Sequence, residues 1–428
     1  MTKLLSRKGF VLPLSMVMMS LTVLISGSYF YVASNGLTSA RRTGDLTRAY
    51  YLADAGLADA FIQLKNSANP PMSFVAANNA YPVSPTANGS YSTQVTANAW
   101  PDYTLTSTGT YNGVTRRLQL KIRASTASEW NYMSSTEIDP FWGRLWWVTG
   151  MFSDGKTHTD GQFNMFGTPV FAGPVTQVAP TVHYWSGPPA DNPTFQQGLT
   201  VSAPAKFPSA AQSTDYIKAA AQQPTGRYFT GSTTITLVNN GTMNVTNAAA
   251  GMANTNIPVP ANAALFVDSG SVTVQGVLKG KLTVGTSNNI NINGNILYKT
   301  DPRVDSTSTD ILGLVAKNHV IVTSTAPFNV EVDGYIVALT GSFQVQNFWT
   351  FLKGNLVQYG GLTNFVCGPT GMFNPWTGKL VAGYNQLQYY DQRFDPEHNE
   401  NPISPPWFLP MKSTSGLSAY KKVSFEEL

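Results

Sequence analysis

Phe10 to Val32 is a run of 23 residues without a charge, and Lys3, Arg7 and Lys8 stand just before it. As a helix it is about 34 Å long, enough to cross a hydrocarbon layer of about 30 Å. The basic residues ahead of it predict a cytoplasmic N-terminus. A secretory signal peptide has a shorter apolar core and then a small-residue cleavage site. Here Ser26-Gly27-Ser28 runs on into Tyr29, Phe30 and Tyr31. The run is therefore expected to stay in a membrane as an anchor.

A plain anchor does not account for Gly9-Phe10. Arg7-Lys8-Gly9-Phe10 opening an apolar helix resembles the leader of type IV pilins. The resemblance implies that a prepilin peptidase removes residues 1–9 by cutting between Gly9 and Phe10, and that the new N-terminus at Phe10 is methylated. Pro13 would then be the fourth mature residue, where its missing N–H costs little because the first four helical N–H groups have no partner. Pilins usually carry a glutamate at the fifth mature position, and Leu14 stands there. Family members without it tend to be minor, tip-associated or priming subunits.

After Val32 the apolar spacing Leu46, Tyr50, Ala53, Leu57, Phe61, Leu64 predicts one helix over residues 10–65, with 10–32 in the membrane or pilus core. Pro70-Pro71 ends it. Within it, Ala53-Asp54-Ala55-Gly56 resembles the Ala-Glu-Ala-Gly segment of PilX-like minor pilins, with aspartate in place of glutamate. Residues 66–128 read as an antiparallel sheet. Strands are expected at Tyr91–Ala97 and Tyr103–Tyr111, Asn112-Gly113 is a hairpin turn, and Leu118, Leu120 and Ile122 alternate with Arg117, Gln119, Lys121 and Arg123. A long helix followed by such a sheet is the pilin-like α+β arrangement.

A second, mostly-β domain is expected over residues 129–410, with Trp130, Trp142, Trp146 and Trp147 packing where the two parts meet. A short helix is predicted near Asp215–Gln223. From Ile235 many short apolar runs are separated by Gly, Asn or Asp, and Asn288, Asn289, Asn291, Asn293 and Asn295 have the look of turn and ladder residues. That texture favours a right-handed parallel β-helix, with a β-sandwich or jelly roll as the alternative. Asp154–Gly161, Leu265–Lys317 and the closing Tyr390-Asp391-Gln392-Arg393 resemble a large uncharacterised C-terminal domain carried by pilin-like proteins. Residues 411–428 form a tail, with Tyr420–Phe425 as a strand that would return to the first sheet and make the large domain an insertion.

Residues 1–128 carry a net charge of +7 and residues 129–428 one of −3, so the distal part offers no bulk attraction to nucleic acid. The single cysteine, Cys367, excludes an internal disulfide and is expected to be a buried small apolar residue. His158, His183, His319 and His398 have no second ligand at metal spacing. Asp301, Arg303, Asp305 and Asp310 are the densest charges of the repeat region and read as a solvated loop. No catalytic, cofactor or metal residues are assigned. Trp349, Tyr359, Trp376 and Tyr390 are the candidate ligand-binding aromatics, since aromatic faces stack on sugars or bases. The partners implied are other pilins, the assembly platform, prepilin peptidase and the membrane, with DNA or a glycan at the tip. The localisation implied is the inner membrane first and the pilus, cell surface or periplasm afterwards. A polysaccharide-active β-helix enzyme is the alternative of a different class.

Overall fold

The computed structural model describes residues 11–66, 73–84, 87–97, 101–188, 190–205, 207, 210–397, 399, 402–408 and 420–428. Gly9, Phe10, Pro70, Pro71 and His398 lie outside the described residues. Helix α1 (Val11–Asn66) is 56 residues long and is apolar and long enough to cross a membrane near its N-terminus. Pro13, Leu14 and Val32 lie on it, and every residue from 11 to 44 is exposed. Burial starts only towards its C-terminal end, at Ala49, Leu52, Ala53, Gly56, Leu57, Ala60 and Leu64.

That end packs on an antiparallel sheet of β1 (Ser73–Ser84), β2 (Ala87–Ala97), β3 (Asp102–Tyr111) and β4 (Val114–Ala124). The contact stripe is made of smaller residues than the apolar spacing suggests. Ala49, Gly56 and Ala60 join it, while Tyr50 and Phe61 lie at its margin. Small residues let the backbone of β3 come close: a Cβ on Gly109 would collide with the Ala49 carbonyl and the Ala53 amide. Leu105, Leu118 and Ile122 are wholly buried under the helix, as strand alternation requires.

The last strand, Tyr420–Glu427, pairs antiparallel with β4 and completes this sheet as its fifth strand. Its acidic end meets basic residues of β4, with Arg116 2.8 Å from Glu427 and Lys121 3.9 Å from Glu426. Arg123, expected to point outward, is buried and clamped by both oxygens of Asp102.

Everything between those strands is mostly β. Ala264–Asp268, Lys281–Thr286, Ile311–Ala316, Val330–Ala338 and Leu352–Val366 pair successively in parallel. Val272–Leu278, Ile290–Tyr298, Val320–Val322 and Phe343–Val345 form a second parallel series. Leu352–Val366 then pairs with Tyr132–Thr136, which leads outward through Thr157–Thr159, Val175–Gln177 and Leu199–Val201. The stack is continuous in space and broken in sequence: the chain enters it midway, runs to one end, and starts again from the other end near Arg227. There the antiparallel strands Thr242–Asn247 and Met252–Pro258 follow Thr233–Val238.

Asparagines link successive turns of this stack. Asn289 accepts from the His319 amide at 3.0 Å, Asn295 from Glu331 at 3.1 Å, and Asn329 from Asn355 at 2.9 Å. Ile311–Ala316 is buried at every position because both of its faces are covered. One face meets the inner core of Leu282, Leu312 and Leu314. The other meets helix α2 (Ala210–Ala221), Trp407 and Phe408. Helix α2 starts five residues earlier than Asp215, the start expected from sequence.

Candidate functional site

Tyr359 sits in the parallel strand Leu352–Val366 and Tyr390 ends the neighbouring strand Leu380–Tyr390. Both line one groove of about 540 Å³, together with Asp154, Arg303, Tyr389 and Arg393. The groove brings together two arginines and three tyrosines from segments that are far apart in sequence. Arg303 lies over the Tyr359 ring at 4.6 Å, and Arg393 lies 5.5 Å from the Tyr298 ring.

Most of the polar groups are already engaged. Asp391 is fully buried and takes Arg393 through both oxygens, with the shortest contact at 2.6 Å. Arg393 also donates to the carbonyls of Ser308 and Asp310 at 2.9 and 3.0 Å. Arg303 donates to Asp301 at 2.9 Å and to Glu331 at 2.6 Å. Burial alone would raise the Asp301 carboxyl, but the bonds from Arg303 outweigh it and hold it low. Tyr390 is almost wholly buried, and its hydroxyl donates to the Ser128 carbonyl at 2.7 Å. Tyr359 is 6% exposed and offers little face to a ligand.

The other two candidate aromatics lie elsewhere and are open. Trp349 is half exposed, and its ring stands 5.2 Å from Trp142 and 5.1 Å from Phe348. Trp376 is 74% exposed in a turn held by the Asn374 side chain. Among the described residues, none of the ring contacts of Trp130, Trp142, Trp146 and Trp147 crosses between the two parts of the chain. They pack inside the distal part: Trp130 against His158, Trp142 against Phe348, Trp146 against Trp185 and Trp147 against Phe171. The reason is the entry of the chain midway along the stack, which places residues 130–147 on its own wall.

The densest charges do not form one solvated loop. Asp310 is buried, and its carboxylate accepts the amides of Gly280 and Thr300 at 2.7 and 2.8 Å. Asp305 is exposed and caps Thr307 at 2.9 Å. His158 is buried and held at 2.8 Å by both Thr176 and Asp160, which fits a structural role. Among the described residues no cluster of three His, Cys, Asp or Glu side chains could hold a metal ion.

Sequence reading passed over Asp333 and Asp154. Asp333 is buried in the strand Val330–Ala338, where it accepts from the Tyr298 amide at 2.9 Å while its other oxygen has no hydrogen bond. Arg303 is 3.8 Å away but already spends that nitrogen on Glu331. Burial therefore prevails and pushes the Asp333 carboxyl up to about 7. Burial likewise raises Asp154 to about 6, although the Tyr390 amide donates to it. A lone aspartate inside Val330-Glu331-Val332-Asp333 was the available signal.

No family model matches this chain, and no curated protein matches it. Among solved structures it is similar to the crystal structure of the competence-associated pilin ComZ from Thermus thermophilus. The TM-score is 0.35 and the identity 14%, over 90% of this chain and 98% of that one. A likeness of that degree carries no inference about this chain.

Proposed function

We propose that the chain is a minor type IV pilin-like subunit that sits at the tip of a filament. The observation that carries this reading is α1: its first 34 described residues are wholly exposed and mostly apolar, while its C-terminal end packs on a sheet. Exposed apolar surface of that extent needs a cover. A membrane supplies it first, with the N-terminus cytoplasmic, and the helices of neighbouring subunits supply it after assembly. Prepilin peptidase cuts between Gly9 and Phe10, Phe10 is methylated, and the subunit leaves the inner membrane for the pilus or cell surface.

The distal part is a parallel β-helix of the right-handed kind, inserted between β4 and the last strand. The long series of parallel pairings and the return of Tyr420–Glu427 to β4 support this. Its bulk would clash along a tightly packed shaft, which argues for the tip. There it recognises a surface, DNA during transformation or a glycan, and the exposed Trp349 and Trp376 are its best platforms. It is not an enzyme in this reading: Asp301 and Asp310, the best acid/base candidates, are taken up by Arg303 and by backbone amides.

Deletion of the whole chain is expected to lower piliation and surface recognition together. Removal of residues 129–410 is expected to spare piliation and abolish recognition, read as DNA uptake and adhesion. Strains in which both deletions leave piliation, uptake and adhesion unchanged would sink the proposal.

A further inference from the structure

A second cavity, of about 300 Å³, opens beside the Trp142–Trp349 cluster. One wall is the segment Trp142–Val148, with Trp142, Trp146 and Trp147. The other is the hairpin of Gly371–Phe373 and Leu380–Tyr390, with Phe373. Its aromatic walls are braced by neighbouring rings. Phe373 stacks on the buried Phe166 at 4.6 Å, Trp146 stands edge-on to Trp185 at 5.1 Å, and Trp142 meets Phe348 at 5.0 Å. Rings held in this way lose little freedom when a ligand enters. An apolar cavity of about 150 Å³ already accepts a benzene ring, so this one has room for a larger ring.

One cation lines this cavity. Arg144 is exposed at the edge, and its Nη1 donates to Asn164 Oδ1 at 3.1 Å. Asn164 is completely buried and fixed by its own bonds to the Glu137 and Leu145 carbonyls. The guanidinium is thus oriented by a locked amide. Among the described residues Arg144 has no carboxylate within ion-pair distance, whereas Lys156, Lys218, Arg303 and Arg393 of the same distal part each have at least one. An oriented, unpaired guanidinium beside aromatic walls matches a planar anion-bearing ligand, because it can bind a carboxylate or phosphate in bidentate fashion.

We infer that this cavity binds a small ring-bearing anion, its ring between Trp142, Trp146 and Phe373 and its carboxylate or phosphate on Arg144. The inference does not depend on the chain entering a filament. The full chain in lipid nanodiscs, titrated with phenyl phosphate and with phenylacetate, should show saturable change in tryptophan fluorescence with at least one of them. Benzyl alcohol, which has the ring without the charge, should bind at least about tenfold more weakly. R144Q should weaken the anion by about tenfold and leave benzyl alcohol unchanged, and its melting temperature should match the parent chain. The relative strength of the two anions tells phosphate from carboxylate recognition. Absence of saturation with both anions, or equal binding by R144Q and the parent, would overturn the inference.

Discussion

Gly360→Val is expected to destabilise the distal part by roughly 2–6 kcal/mol, while α1 and its sheet persist. Gly360 lies in the strand Leu352–Val366 and pairs in register with Gly334 of the next strand. Its φ is +138°, which only glycine adopts without strain. A Cβ there would also run into the carbonyl oxygen of Gly334, a backbone atom fixed by the ladder. Backbone strain of about 1–3 kcal/mol and a steric clash of similar size act together, on a domain whose whole stability is about 5–15 kcal/mol. Gly280→Ala separates the two effects. Its φ is +102° and a Cβ would meet nothing within 4 Å, so strain alone should lower the melting temperature modestly. Limited proteolysis and near-ultraviolet circular dichroism of the full-length chain would read both variants. A Gly360→Val chain that resists protease as well as the parent would contradict the stacked geometry.

Asp333→Asn is expected to stabilise the protein at pH 8 and to make little difference below about pH 4. The folded carboxyl titrates near 7, well above the ordinary carboxylate value, because burial disfavours its charge. Between those two values the folded chain holds a proton that the unfolded chain has lost. The stability that this group contributes is therefore fully present below about pH 4 and is lost as pH rises to about 7. A displacement of roughly 3 pKa units corresponds to a loss on the order of 4 kcal/mol at high pH. Asparagine keeps an acceptor for the Tyr298 amide and carries no charge to bury. Burial also raises Glu137 and Asp154, which act in the same direction, while His319, lowered by its burial, acts in the opposite one. The useful readout is thus the difference between variant and parent across pH, not the parent curve alone. A variant less stable than the parent at pH 8 would show that Asp333 is held as a favourable ion.

The membrane-length helix, the hairpin at Asn112-Gly113 and the strand Arg117–Arg123 were legible because each rests on a local pattern. Period 3.6, a turn dipeptide and period 2 need no knowledge of distant partners. The ladder role of the asparagines was legible for the same reason, and Asn289 and Asn295 do bond to the adjacent layer, although Asn291, Asn293 and Asn295 lie in the strand Ile290–Tyr298 and not in a turn. The extended strand Ser73–Ser84 was passed over, since Ala, Asn and Pro give it no clear alternation. Burial of Ala49, Gly56 and Ala60 was also missed, because small residues weigh little in an apolar count although they set how close helix and sheet come. The midway entry of the chain into the parallel stack is a matter of which strands meet across more than two hundred residues, Tyr132 with Leu362 for example. No local pattern encodes that. The burial of Tyr359 and Tyr390 and the opening of the cavity beside Arg144 both follow from it.

The reading of the chain as a processed pilin-like subunit rests most heavily on its first residues. Mass spectrometry of the N-terminal peptide, taken from chain isolated out of the membrane and surface fractions, tests it directly. The account predicts a chain that begins at Phe10 and carries one methyl group on its α-amino nitrogen. An N-terminus that retains Met1, or one that begins beyond Ser26, would contradict it.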